Sequence, residues 1–181
     1  YQVRGLDLAN MTLIEGETGV IVIDTLTTRE SARAAIGLYR EHRGDRPVTG
    51  VIFTHSHVDH WGGATALVDP AEVAAGRVPV IAPDQFLEEA VAENVMVGPA
   101  MLRRGHFQFG HMLPPGARGH VDNGLGKAVS MGMFGLMAPN DLILATGDRR
   151  VVDGIELVFQ MAPDTEAPAE MHIWAPALKL L

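Results

Sequence analysis

The sequence predicts an α/β fold in one domain. Residues 20–23 and 48–53 are short apolar runs rich in β-branched and aromatic residues, which is typical of buried strands. An amphipathic stretch lies between them, so strand, helix and strand form a βαβ unit. At 181 residues and 47% hydrophobic composition, the chain is long enough for one core and too short for two comfortable domains.

Composition restricts the partners. A formal charge of −8 argues against nucleic acid, because no basic stripe is available to displace counterions. An anionic small molecule stays compatible, since bound divalent ions would reverse the local field. No apolar run approaches the roughly 20 residues that a membrane span needs, and the absence of cysteine leaves the redox compartment undetermined. The chain starts at Tyr1 and stops at Leu181 within apolar patterns, so we expect it to be part of a longer protein.

The first elements are strands. Residues 1–16 and 19–25 predict two strands joined by a glycine-containing turn. Asp24 stands at the carboxyl end of the second strand, where sites of α/β proteins open. Spacing alone leaves two interpretations of Asp24 equally open: a partner that orients a ligand histidine, or a turn residue.

The first helix has its own signals. Thr27 and Glu30 have the spacing of a capping box, and Gly44 is placed to end the helix after about Arg43. Its apolar positions follow the helical period, so we expect one face to pack against the sheet. The members of that face are Ala32, Ala35, Ile36 and Tyr39.

The strongest chemical signal follows the second buried strand. His55, His57, Asp59 and His60 lie within six residues, ahead of Gly62-Gly63. In an extended segment alternate side chains share a face, so His55, His57 and Asp59 point one way and His60 the other. Imidazoles with a carboxylate suit zinc, with manganese or iron as alternatives, and two adjacent ions support hydrolysis. A lone histidine is more often structural, but four potential ligands in one turn favour a metal centre.

The middle of the chain is less specific. A strand at residues 78–82 precedes a helix that starts near Pro83. Residues 94–110 carry methionines, phenylalanines and two arginines. The apolar residues are interpreted as part of the core rather than as a hydrophobic substrate entrance. The arginines are interpreted as a solvated helix face rather than as a site that steers an anionic group. Residues 110–126 predict a long loop, in which His120 is interpreted as structural rather than as a metal ligand.

The last part returns to strands. Residues 142–145, 150–152, 155–160 and 171–174 have strand patterns, and the Asp-Gly pair between the second and third of these predicts a hairpin turn.

The motif His-x-His-x-Asp-His at residues 55–60, placed after a hydrophobic strand, resembles the signature of the metallo-β-lactamase superfamily. That resemblance implies an αββα sandwich, here incomplete on its C-terminal side, with a one- or two-metal site at one edge of the sheets.

A second resemblance is narrower. Most hydrolases of that superfamily place a metal-binding histidine after a later strand and a Pro-Gly turn, whereas this chain has Pro163-Asp164 and then Thr165-Glu166-Ala167-Pro168-Ala169-Glu170-Met171. The glutamate looks like that of the alkyl sulfatases, which hydrolyse detergent sulfates such as dodecyl sulfate. The likeness extends over nearly the whole chain, including residues 1–5, 22–27, 93–95 and 101–104.

The alkyl sulfatase resemblance implies a zinc-dependent sulfuric ester hydrolase that uses a dinuclear metal-bound hydroxide. His55, His57 and Glu166 would hold one of two zinc ions, and Asp59 and His60 the other, with Asp59 also the candidate catalytic residue. Further ligands and a sulfate-binding arginine would follow residue 181. The resemblance also implies a homodimer, a lipid-carrier-like C-terminal domain outside this chain, and a periplasmic or secreted location.

Two alternatives stay open. One is a different hydrolase of the same fold, such as a lactonase, thioesterase or β-lactamase. The other is a metal-binding segment without activity, because the implied ligand set is incomplete within these residues.

Overall fold

A computed structural model describes residues 1–181 and contains two β-sheets. The strands are β1 (Gln2–Val3), β2 (Met11–Glu15), β3 (Val20–Ile23), β4 (Val48–Ile52), β5 (Val80–Pro83), β6 (Asp141–Ile143), β7 (Arg149–Val152), β8 (Ile155–Met161) and β9 (Met171–Trp174). The α-helices are α1 (Arg29–Arg43), α2 (Val58–Trp61), α3 (Pro70–Ala74), α4 (Phe86–Val91) and α5 (Gly98–Phe109). A π-helical segment at Ala92–Met96 joins α4 to α5, and short 3₁₀ turns lie at Ala64–Ala66 and Pro176–Leu178.

The larger sheet has six strands in the order β1-β2-β3-β4-β5-β6. Strands β3 to β6 are mutually parallel, while β1 and β2 add an antiparallel edge. The predicted βαβ unit is therefore confirmed as β3-α1-β4. The smaller sheet is an antiparallel meander of β7, β8 and β9, and the predicted Asp153-Gly154 turn joins its first two strands with both residues at positive φ.

Three core clusters define the layers. Residues of β1–β3 pack against the apolar face of α1, and residues of β4 and β5 pack against α2, α3 and α4. The third cluster lies between the sheets, where β-branched residues of the large sheet meet Leu157, Phe159 and Met171 of the small one. The layers run helix, sheet, sheet, and the outer face of the small sheet is exposed at Val151 and Trp174. These three layers form the αββ part of the αββα sandwich that was predicted to be incomplete on its C-terminal side.

The N-terminal segment departs from the prediction in two places. The expected strand over residues 1–16 is split, because residues 4–10 leave the sheet to bring Asp7 into the interior. The capping box of α1 is formed by Thr28 and Ser31, not by Thr27 and Glu30. Thr27 donates to Asp7 instead, through both its amide and its hydroxyl.

The expectation that residues 94–110 form a core stripe is wrong. Helix α5 forms, but none of its residues is buried, and Phe107 is 92% exposed. A helical pattern fixes which residues share a face but does not supply a surface to cover that face. None of the helices combines the length and the apolar character needed to span a bilayer.

Candidate metal centre

The candidate site lies where two parallel strands end side by side. Ile23 and Ile52 are register partners at the carboxyl ends of β3 and β4, and the amide of Asp24 donates to the carbonyl of Ile52 at 2.9 Å. Asp24 and residues 54–60 consequently emerge at the same edge of the large sheet. The carboxyl ends of parallel strands are where the sites of α/β proteins usually lie.

The structure brings His55, His57 and Glu166 together. Nε2 of His55 lies 3.1 Å from Nδ1 of His57, and that same Nδ1 lies 3.8 Å from Oε1 of Glu166. One side-chain donor atom from each residue falls within 4.8 Å of the others. His55 is buried and the Glu166 carboxylate is largely exposed, so the group is open to solvent on the Glu166 side.

Asp59 and His60 reach the site from a helix, so the extended parity expected for residues 55–60 is only partly right. His57, whose own backbone dihedrals are extended, is the N-cap of α2, and Asp59 and His60 lie in that helix. The ring of His60 nonetheless sits 3.9 Å from the ring of His55. Nε2 of His60 lies 3.3 Å from Oδ2 of Asp59, which makes this pair a second group of possible ligands beside the first.

The Gly62-Gly63 pair allows this helix to approach the segment after β3. A Cβ at Gly62 would lie 2.0 Å from the carbonyl oxygen of Thr27, and one at Gly63 would lie 2.2 Å from that of Thr25. The short helix that carries Asp59 and His60 can therefore pack against this loop only with glycine at both positions.

Asp24 sets the proton positions of two histidines. Its Oδ2 lies 2.6 Å from Nδ1 of His60, and because a carboxylate only accepts, Nδ1 of His60 carries the proton. The hydroxyl of Thr54 donates to Asp24 at 2.9 Å and therefore accepts from Nδ1 of His55, also at 2.9 Å. Nε2 of His55 is left with its lone pair towards His57. Of the two interpretations of Asp24, the partner that orients histidines is the one its contacts support.

The charges of the site follow from burial and from these carboxylates. Burial lowers the pKa of His55 to about 4, assisted by the neighbouring His60, so His55 is neutral at pH 7. Burial also acts to lower the pKa of His60, but the carboxylates of Asp24 and Asp59 outweigh it and raise that pKa well above its usual value. For Asp59 desolvation is opposed by the hydrogen bond and charge of His60, and the net result is a lowered pKa.

The loop that presents Glu166 is built on Glu170, which the sequence interpretation did not single out. Oε2 of Glu170 accepts from the Thr165 hydroxyl at 2.6 Å and from the amides of Glu166 and Ala167 at 2.8 and 3.1 Å. Desolvation opposes ionisation of Glu170, but these three hydrogen bonds hold its pKa below the usual range. The loop is docked beside the histidines by a β-bridge between Glu170 and His55.

The donor set suits a divalent metal ion. Nε2 of His55 and Nδ1 of His57 point at one another, and a carboxylate oxygen of Glu166 approaches the same point. A neutral buried imidazole is the form in which histidine binds metal. His120 is not part of the group: its Nε2 pairs with Oδ1 of Asn123 at 2.8 Å within its own loop.

The comparisons with known proteins identify the family of this chain. A family model described as the metallo-beta-lactamase superfamily matches residues 4–181. The chain belongs to the metallo-β-lactamase superfamily. The resemblance to this superfamily that the motif at residues 55–60 carried, and the fold that it implied, are therefore confirmed.

Within the superfamily, the chain is similar to alkylsulfatases over its whole length. It is 52% identical to an (R)-specific secondary-alkylsulfatase of Pseudomonas sp., 51% identical to the alkyl/aryl-sulfatase BDS1 of Saccharomyces cerevisiae, and 50% identical to a linear primary-alkylsulfatase of Pseudomonas sp.. Each alignment covers 100% of this chain but only 28%, 28% and 27% of the respective relative. The chain thus spans little more than a quarter of these proteins.

Solved structures give the same result. The stereoselective inverting sec-alkylsulfatase Pisa1 from Pseudomonas sp. superposes with a TM-score of 0.93 at 52% identity, over 98% of this chain and 28% of that one. A metallo-beta-lactamase family protein from Thermus thermophilus superposes with a TM-score of 0.58 at 18% identity, over 97% of this chain and 55% of that one. The second similarity supports the fold alone.

Proposed function

We propose that the full-length protein hydrolyses alkyl sulfate esters with the help of two zinc ions. The observation that carries the proposal is an identity of about half of all residues to three alkylsulfatases, extending over the whole chain. The candidate metal centre lies inside that similarity. The detergent sulfates as substrate class, the identity of the metal as zinc and the dinuclear count are parts of this proposal.

The ligand assignment follows the two groups of side chains. Nε2 of His55, Nδ1 of His57 and a carboxylate oxygen of Glu166 would hold one ion, since their donor atoms converge. Asp59 and Nε2 of His60 would contribute to the second ion, because they face one another beside the first group. When bound, a pair of divalent ions lowers the pKa of water and neutralises charge on the ester oxygens.

The remaining contacts keep these side chains in place. Asp24 holds the proton on Nδ1 of His60, and through Thr54 on Nδ1 of His55, so that Nε2 of each ring is the nitrogen directed towards the site. Asp59 has a carboxylate held ionised beside His60, as a ligand or a proton-accepting group requires. The dimer, the location and the domains outside this chain that the resemblance implies stay predictions.

The test of the ligand assignment is His57→Ala in the full-length protein. We expect this variant to lose dinuclear metal binding, because His57 supplies the atom central to the first group. Elemental analysis after gel filtration measures the zinc content. Retention of two zinc ions per chain would contradict the assignment, and His120→Ala is the matched control that should retain both.

The test of the substrate class is a side-by-side assay of the full-length protein on dodecyl sulfate, a lactone, a thioester and nitrocefin. We expect sulfate release from dodecyl sulfate that is lost on chelation and restored by zinc. Turnover of one of the other substrates alone would assign a different hydrolase of this superfamily. Metal binding without turnover of any would leave a metal-binding protein and overturn the sulfatase proposal.

A further inference from the structure

His57 presents its two ring nitrogens to two different carboxylates. Nδ1 faces His55 and Glu166, where the proposed first metal ion would bind. Nε2 points the other way and lies 3.5 Å from Oε1 of Glu93. The hydrogen bonds of Asp24 and Thr54 position the rings of His55 and His60 but do not reach the ring of His57.

Glu93 reaches His57 from a part of the chain that does not belong to the histidine motif. It lies in the π-helical segment Ala92–Met96 between α4 and α5. Its side chain is only 16% exposed, and its Oε2 accepts from the hydroxyl of Ser56 at 3.3 Å. A π-helical turn widens the helix by one residue and shifts the side chains that follow, and such turns concentrate at functional sites. Here the turn carries the carboxylate that faces His57.

We propose that Glu93 is the positioning residue of His57: its carboxylate keeps the proton on Nε2 and thereby leaves the Nδ1 lone pair for a metal ion. The reason is the acceptor-only chemistry of a carboxylate, which favours the tautomer with hydrogen on the facing nitrogen. Ser56, the residue before His57, anchors the other carboxylate oxygen and so restricts the rotation of Glu93. The inference rests on the proposed metal centre, because it assigns a metal-directed nitrogen to His57.

With Glu93 included, every histidine of the centre has a carboxylate behind it. Asp24 contacts His60 directly and His55 through Thr54, and Asp24 and Thr54 follow the ends of the neighbouring strands β3 and β4. Glu93 serves His57 from the helical side. Ring orientation in the centre is thus fixed from two independent parts of the fold. Loss of one carboxylate is expected to affect one metal position more than the other.

The experiment compares Glu93→Ala and Glu93→Gln with wild type in the full-length protein, with Glu88→Ala as the matched control. Glu88 lies in the adjoining helix α4 and is exposed, so its removal should leave metal binding unchanged. Zinc affinity is measured by competition with a chromophoric chelator. Site geometry is measured by the visible absorption of the Co²⁺-substituted protein. Thermal unfolding of the metal-free proteins reports any general structural effect.

We expect Glu93→Ala to weaken binding of the first metal ion by about 10- to 100-fold and to change the Co²⁺ spectrum, which is the usual scale for losing a partner of a ligand histidine. Glu93→Gln keeps an acceptor oxygen for Nε2 and should recover most of the affinity. An unchanged affinity and spectrum in Glu93→Ala would overturn the inference, as would equal losses in the Ala and Gln variants. If wild type itself binds no metal, the proposed function fails instead.

Discussion

Two buried aspartates, Asp7 and Asp24, organise two different regions of the molecule. Asp7 is fully buried and Asp24 is 7% exposed, so both side chains lie in the interior. Asp7 accepts hydrogen bonds from backbone amides and hydroxyl groups only; the donors are Leu8, Thr27, Ser31 and Ser130. Asp24 accepts from the amide and hydroxyl of Thr54 and from the ring of His60.

The chemistry of the partners separates a structural carboxylate from one that serves a site. Hydroxyl and amide donors have no second nitrogen that could bind a metal ion, so the hydrogen bonds of Asp7 only connect parts of the fold. They join the loop before β2 to the start of α1 and to Ser130. An imidazole has a second nitrogen, so a contact with Asp24 on one side directs the other nitrogen towards the site, where it can bind a metal ion. Loss of Asp7 should therefore cost folding stability, and loss of Asp24 should cost metal binding.

The largest effect is expected for Asp7→Ala. The change removes the common acceptor of three segments and leaves buried donors without partners, each at a cost of about 1–3 kcal/mol before relaxation. We expect the free energy of unfolding to fall by about 3 kcal/mol or more. Urea titration of the metal-free protein measures this. Asp45→Ala, at an exposed position, is the control and should change the free energy of unfolding by only a few tenths of a kcal/mol. A loss for Asp7→Ala no larger than that control would break the comparison.

The next effect is expected for Asp24→Asn. Asparagine tolerates the positive φ of 57° at this position, and its oxygen still accepts from Thr54. Its amide nitrogen, however, now faces Nδ1 of His60 and forces the ring proton onto Nε2. We expect binding of the proposed second metal ion to weaken by about 10- to 100-fold, with a smaller loss of metal-free stability than Asp7→Ala causes. Calorimetric zinc titration tests this. A loss of stability without a loss of zinc affinity would mean that Asp24, like Asp7, is only a structural carboxylate.

The sequence was sufficient for those features that depend on local pattern. Buried strands around an amphipathic helix gave the βαβ unit, and Asp-Gly gave the β7–β8 turn, because periodicity and turn preferences act over a few residues. The histidine motif placed His55, His57 and His60 at a strand end. A contact between Asp24 and a histidine could be foreseen, since the ends of neighbouring parallel strands lie at one edge of the sheet.

The residues that sequence reasoning missed are single carboxylates in irregular segments. Asp7 meets Ser130 across 123 positions, and Glu93 meets Ser56 across 37. Neither stands in a period or a spaced motif, so their partners become visible only when the loops are placed in space. Glu170 had a weaker signal, because it shares the Thr165–Met171 segment with Glu166, but its three hydrogen bonds are a property of the folded loop.

A third aspartate, Asp153, sharpens the comparison at the surface. It lies in the β7–β8 turn and joins the two sheets through the β2–β3 turn. Its carboxylate accepts from the amide and hydroxyl of Thr18 at 2.9 and 2.7 Å, from the amide of Gly19 at 2.7 Å and from the hydroxyl of Thr49 at 3.0 Å. Like Asp7 it has no imidazole partner, but unlike Asp7 it is partly exposed, so water can replace lost donors.

The smallest effect is therefore expected for Asp153→Asn, about 1 kcal/mol of unfolding free energy at pH 7. Desolvation acts to raise the pKa of Asp153, but the donors on Thr18, Gly19 and Thr49 lower it below 3.8. A lowered pKa in the folded state means that the unfolded chain takes up the proton first. The stabilisation is present above pH 3.8 and is lost as the pH falls through the folded-state pKa. The difference between wild type and variant should hence be constant from pH 7 to 5 and shrink towards pH 3, as urea titrations at each pH measure. A difference that grows in acid would mean that these donors prefer the neutral carboxyl, and Asp153 would then not be a charged anchor of the Asp7 kind.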